Sequence, residues 1–276
     1  MTVTGGGMSL PIVLIIDDPA PLINVYWWHA AEMQETESPT LASGEPVART
    51  IPVDFLRRFA DIISHRGIKG KFSVLPYPAG LGAITDGWPG CDERELNAWL
   101  DVARQSITPL MDITPEILTH AKTLDLDSLT LLPENERVWS RHQTAATMTP
   151  YISYALEILN AVDLQATGVT SPWDFGIDVE AEYQLAIRDA MRQVNDRTQI
   201  WYFLHQENEK TDFHSRVVYR RENDWQVSLY SQVGDNLWNT MNSLETGADY
   251  VSSVADDYLS EDGTSGRLAE LFDAGT

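Results

Sequence analysis

Cysteine is almost absent from this chain of 276 residues, where Cys91 stands alone. A single thiol excludes a disulfide framework and a metal centre built from cysteines. Lysine is scarce as well, found only at Lys69, Lys71, Lys122 and Lys210, and the formal net charge is -22. Such an acidic chain repels the phosphates of nucleic acid and the headgroups of anionic lipid, so neither is expected as a partner. Long apolar runs are missing too. The early run Ile12 to Ile16 is far shorter than the roughly 20 residues of a membrane-spanning helix, falls short of a secretory signal core, and is followed at once by two aspartates. Without a leader of that kind, the expected compartment is the cytoplasm.

What is present is an ordinary apolar fraction, 43%, spread over alternating strand-like and helix-like segments. One α/β domain over residues 1–276 is expected, with residues 1–10 as a flexible leader that ends in a glycine run. Ile12 to Ile16 reads as the first strand. Pro52 and Asp54 open a helix with Phe55, Leu56, Phe59, Ile62 and Ile63 on one face, closed by Gly67, and a strand from Lys71 to Leu75 follows. Asp92 and Glu95 begin a helix carrying Leu96, Trp99, Leu100 and Ala103, after which Met111 to His120 reads as a third strand with its loop. Two more helices, marked by Ile152, Leu156, Leu159 and Val162 and by Tyr183, Ile187, Met191 and Val194, flank the strand end Gly168 to Pro172. The strand Ile200 to Leu204 ends in His205, and Val217 to Tyr219 with Trp225 to Tyr230 predicts a hairpin turning at Asn223 and Asp224. This rhythm predicts a parallel sheet with helices outside it, closed or open.

Catalytic groups in a parallel α/β barrel sit at the C-terminal ends of strands, and four such ends here carry polar groups. They are Asp17 with Asp18, Glu116 to His120, Thr170 to Trp173, and His205. Adjacent carboxylates leaving a strand point in different directions, so one can hold a metal while the other takes a proton from water. The bland alternatives stay open. Asp17-Asp18-Pro19 could simply cap a loop, and a lone strand-end histidine is more often structural than catalytic. Trp27, Trp28 and Trp173 could form a platform for sugar rings, although most of the tryptophans must belong to the core.

Taken in order, these segments resemble the NodB-type polysaccharide deacetylases of the wider glycoside hydrolase/deacetylase superfamily. Ile15-Ile16-Asp17-Asp18 resembles their T-F-D-D motif, and Gly70-Lys71-Phe72-Ser73-Val74 their second strand. Pro115-Glu116-Ile117-Leu118-Thr119-His120 resembles H-E-I-G-S-H, Thr170-Ser171-Pro172-Trp173 resembles R-x-P-[YFW], and Phe203-Leu204-His205 resembles L-x-H. The resemblance implies an irregular (β/α) barrel, here with a C-terminal β-hairpin, and a metal-dependent hydrolase that removes an acyl group from a carbohydrate or a related amide. It implies Asp17 as base, His205 as acid, and Asp18 and His120 as ligands of a divalent metal, zinc first. Glu116, Lys71, Pro172 and Trp173 would line the carbohydrate substrate. Three departures stand out. Leu124 occupies the place of the family's second metal histidine, with Asp125 beside it; Thr170 replaces the arginine that orients the base; and Lys71 stands where a small residue is usual. His29 or Asp125 is therefore expected as the third metal donor, and Lys71 could instead neutralise the carboxylates if no metal binds. Two other functions remain consistent with the residues: a metal-free glycoside hydrolase using Asp17, Asp18, Glu116 and His205, and a barrel that only binds a glycan.

Overall fold

The computed structural model describes residues 2–5, 8–11, 13–41, 44–205 and 215–230, with isolated positions from 257 onward. At the start, β1 (Thr2–Gly5) and β2 (Met8–Pro11) pair antiparallel as a sheet of their own, with Thr2 opposite Pro11. But for Pro11, this pairing falls in residues 1–10, the segment expected as a flexible leader. The β-branched run Thr2-Val3-Thr4 favours extended backbone. Gly6, Gly7 and Ile12 lie outside the described residues, so the first core strand is β3 (Leu14–Ile16).

After β3 come α1 (Val25–Met33), α2 (Val53–Arg66), β4 (Gly70–Val74), α3 (Glu93–Val102) and β5 (Met111–Pro115). The order continues with a side hairpin of β6 (Lys122–Asp125) and β7 (Thr130–Asn135), then α4 (Glu136–Ser140) and α5 (Ala145–Ala161). It closes with β8 (Gly168–Thr170), α6 (Glu180–Asn195), β9 (Gln199–Leu204), β10 (Arg216–Arg221) and β11 (Asp224–Tyr230). The last two strands are the expected hairpin, and β11 also pairs parallel with β9.

The strands form a parallel group β3-β4-β5 and a group β10-β11-β9-β8 in which only the outer strand β10 runs antiparallel. A parallel bridge between Glu116 and Thr170 stitches the two at their C-terminal ends, where Ile117 N donates to Thr170 O at 3.1 Å. The fold is therefore mixed α/β. Among the described residues no ladder links β3 to β10 or β11, so the ring expected of a barrel is not closed there. The strand ends nevertheless curl towards one another, because Lys71 on β4 reaches Thr170 on β8 and the ring of Phe203 on β9.

Helices cover the sheet through apolar stripes. α3 buries Leu96, Trp99 and Leu100, with Asp92 capping its N-terminus by accepting from Arg94 N and Glu95 N. α5 and α6 bury Ile152, Leu156, Leu159, Tyr183, Ile187 and Met191. α2 differs from its expected face. It buries Val53, Leu56, Ala60 and Ile63, but leaves Phe55 67% and Ile62 58% exposed, because the apolar arc is wider than the surface it covers. Gly67 ends α2 in the left-handed region with φ 64, a conformation cheap only for glycine.

Gly70 has a different constraint. A Cβ there would meet the backbone of Leu14, with the carbonyl carbon at 2.7 Å, so β3 and β4 pair as closely as they do because position 70 has no side chain. Gly70→Ala is expected to lower stability by about 1–3 kcal/mol, the range for forced overpacking. A urea titration showing an unchanged midpoint would contradict this close approach.

Candidate active site

Asp17 and Asp18 leave β3, Glu116 and His120 follow β5, Trp173 and Asp174 follow β8, and His205 follows β9. All four groups of side chains meet at one end of the sheet. Several backbones there are bent into the left-handed region: Asp18 at φ 64, Ile117 at 34, His120 at 48, Trp173 at 46 and Asp174 at 61. Left-handed non-glycine residues cost on the order of 1 kcal/mol or more each and cluster where function requires a particular direction. Carboxylates lock these bends. Glu116 Oε2 accepts from Asp18 N at 2.7 Å, Glu136 Oε2 from His120 N at 2.9 Å, and Asp174 Oδ1 from His205 N at 2.7 Å.

The site has two halves joined by Glu116. In one, Asp17 forms an ion pair with Lys71, whose Nζ also donates to Thr170 Oγ1 at 2.9 Å. His205 Nε2 lies 3.7 Å from Asp17 Oδ2. In the other half, His120 Nε2 lies 3.0 Å from Asp18 Oδ1 and 3.5 Å from Glu116 Oε1. Ser73 sits between the halves, within 2.8 Å of Glu116 Oε2 and 3.4 Å of Asp17 Oδ1.

Electrostatics follow from this crowding. Burial alone would disfavour the charge on His120, but the Asp18 carboxylate overrides it and raises the imidazole to about 10. Burial likewise pushes Asp18 upward, and the charge and hydrogen bond of His120 reverse that, holding Asp18 well below the usual carboxylate range. Glu116 is displaced upward by burial, then by Asp18 and Asp17. His29 falls to about 4 through burial and the neighbouring His120 charge.

The donor geometry revises the expected ligand set. Ligand atoms of Asp18, Glu116 and His120 lie within 4.8 Å of one another, as do those of Asp17, Glu116 and His205. Asp125 joins neither group: its Oδ1 caps the β6–β7 turn, accepting from Asp127 N at 3.0 Å and Ser128 N at 2.8 Å. His29 is close but misdirected. Its Nε2 lies 2.9 Å from the His120 carbonyl, which can only accept, so that nitrogen carries the hydrogen and has no lone pair for a metal. Leu124 is a core residue of β6. Glu116 is thus the third donor that the fold brings to Asp18 and His120.

The expected substrate contacts divide. Lys71 is 5% exposed, and Glu116 and Pro172 are buried, so these three lie beneath the site rather than lining its mouth. Trp173 is half-buried, its ring 4.2 Å from that of His120 and 4.8 Å from that of His29. Trp27 and Trp28 pack edge to face with each other and against Arg49. Glu136, which no sequence motif marks, lies fully buried behind His120 and takes N–H groups from Leu118, Thr119 and His120. Its only sequence signal is a carboxylate at the start of a short helix within a polar stretch.

No family model matches the chain, and no curated protein matches it. Among the described residues no helix is long and apolar enough to cross a membrane.

Proposed function

We propose that the protein is a metal-dependent hydrolase that removes an acyl group from a carbohydrate or a related amide, on an irregular barrel of the polysaccharide deacetylase type. The observation that carries this reading is the convergence of Asp18, Glu116 and His120 beside Asp17 and His205. The donors fit a divalent ion: Glu116 Oε1 is buried without a hydrogen-bond partner and faces His120 Nε2, so an acceptor is held ready with nothing to accept. Asp18, His120 and Glu116 would hold the ion, zinc being the first candidate for mixed nitrogen and oxygen donors. Such an ion supplies polarisation of the acyl carbonyl and more acidic water.

The rest is the work of the chain's own residues. Asp17 accepts the proton of the attacking water, and Lys71 keeps that carboxylate oriented. His205 donates a proton to the departing group. Trp173 offers the half-exposed ring against which a sugar could stack. Two of the three departures from the family resemblance meet here in space: the small residue is now Thr170, the cation is now Lys71, and the two are hydrogen-bonded. A cation lost from one strand is thereby supplied from another.

Protein purified without a histidine tag is expected to carry stoichiometric metal and to release acetate from acetylated oligosaccharides, with activity falling to background on chelation and returning with zinc. Acetate release that survives exhaustive chelation would end this reading. One observation favours a metal-free acid–base hydrolase instead: Lys71 and His120 already pair with Asp17 and Asp18. Cleavage of unmodified glycosidic bonds in chelator would support that alternative.

A further inference from the structure

The same end of the sheet holds two clusters of metal-type donors that share Glu116, namely Asp18–Glu116–His120 and Asp17–Glu116–His205. A carboxylate shared between two such clusters is the usual ground plan of a two-metal centre. We propose that Lys71 is the built-in cation of the Asp17 half, so that this cluster takes no ion and the protein holds a single divalent metal on the Asp18 side. This rests on the proposed function for the first ion, but not for the exclusion of the second.

The two halves differ in how their acceptors are satisfied. Asp17 Oδ1 receives the Lys71 ammonium and lies within reach of the Ser73 hydroxyl. On the Asp18 side the partner is His120 Nε2 at 3.0 Å, an imidazole that becomes a ligand once neutral, whereas an ammonium has no lone pair to offer; there too Glu116 Oε1 accepts no hydrogen bond. Two hydrogen-bond partners and one aromatic ring hold the ammonium. Its stem is buried in β4, its Nζ donates to Thr170 Oγ1 at 2.9 Å, which in turn is 2.8 Å from Thr114 Oγ1, and the ring of Phe203 lies 4.5 Å from the charge. A buried ammonium is costly to uncouple from its partner, because an unpaired charge would remain on each side. A divalent ion binding Asp17 would have to displace that buried ammonium from its partner or sit beside it, and like charges at such range repel strongly in a largely buried site.

The test is metal stoichiometry at saturating zinc, read by elemental analysis after gel filtration and by calorimetric titration. Wild type is expected to bind one ion and Lys71→Met two, while Lys71→Arg, which keeps a cation there, stays at one. Two ions in wild type would overturn the proposal without requiring any variant to fold. So would a folded Lys71→Met protein with the same count as wild type. Zero ions in wild type with one in Lys71→Met would keep Lys71 as the resident cation but defeat the metal hydrolase reading; one ion in both would do the reverse.

Discussion

Asp18→Asn is expected to lose metal and turnover together, whereas Asp17→Asn should keep the ion and lose roughly 10²–10⁴-fold in rate, the usual worth of a positioned general base. The asymmetry follows from where each carboxylate points. Asp18 Oδ1 lies 3.0 Å from His120 Nε2, and both groups belong to the donor cluster that includes the unpartnered Glu116 Oε1. An amide at position 18 gives up the negative charge that the cluster needs. Asp17 faces the other way, towards Lys71 and His205, and its loss leaves those three donors in place. His205→Ala should likewise spare the metal, and its rate loss should shrink for substrates with good leaving groups, which need no proton. Metal analysis and steady-state rates on acetylated oligosaccharides check all three variants. Retention of metal by Asp18→Asn, or its loss from Asp17→Asn, would assign the two aspartates the wrong way round.

Much of this arrangement was readable from strand ends. Asp17, Asp18, His120 and His205 each follow an apolar strand, and parallel strands must present their C-terminal ends together, so their meeting needed no knowledge of the loops between. Lys71 was readable in the same way. It alternates with Ser73 along β4, so both side chains point to one face, and both now touch Asp17. The third donor was not readable, since it depends on loop direction rather than spacing. Asp125 stands close to His120 in sequence, yet β6 carries it out to a solvent turn, while the left-handed turn at Ile117 and His120 folds His120 back over Glu116. Helix α1 is not legible in the sequence for another reason: its residues are apolar nearly all round, and Asn24 makes no side-chain cap, so neither periodicity nor an end signal marks it. The hairpin β6–β7 hid in a polar stretch because its second strand is largely exposed.

Glu136 is the clearest case of a residue whose role only the fold reveals, and its removal is expected to be among the most damaging single changes away from the donors. Its Oε1 accepts from Thr119 N at 3.0 Å, Leu118 N at 3.3 Å and Tyr151 OH at 2.8 Å, and its Oε2 from His120 N. Tyr151 in turn accepts from Leu124 N at 3.2 Å, which directs its own hydrogen to Glu136. Every partner donates, the pattern of an ionised carboxylate, although burial pushes its pKa upward. Glu136→Ala would strand three adjacent backbone N–H groups in a dry interior and release the left-handed turn that presents His120. Breaking a buried charged network of this kind costs about 3–5 kcal/mol. Tyr151→Phe, which removes one bond to Glu136 and the acceptor of Leu124 N, should cost nearer 1–3 kcal/mol. Glu136→Gln keeps the shape but, with its oxygen on the Thr119 side, turns an amide N–H towards the His120 N–H, which can only donate, so it should fall between the two. Urea midpoints with unchanged slopes would measure the series. A Glu136→Ala protein within about 1 kcal/mol of wild type would mean that the Leu118–His120 turn holds itself. Where Glu136→Gln still folds, metal affinity gives the second readout: a loss of roughly 10–100-fold, the usual cost of removing a residue that orients a ligand, would tie the buried carboxylate to the aim of His120 rather than to stability alone.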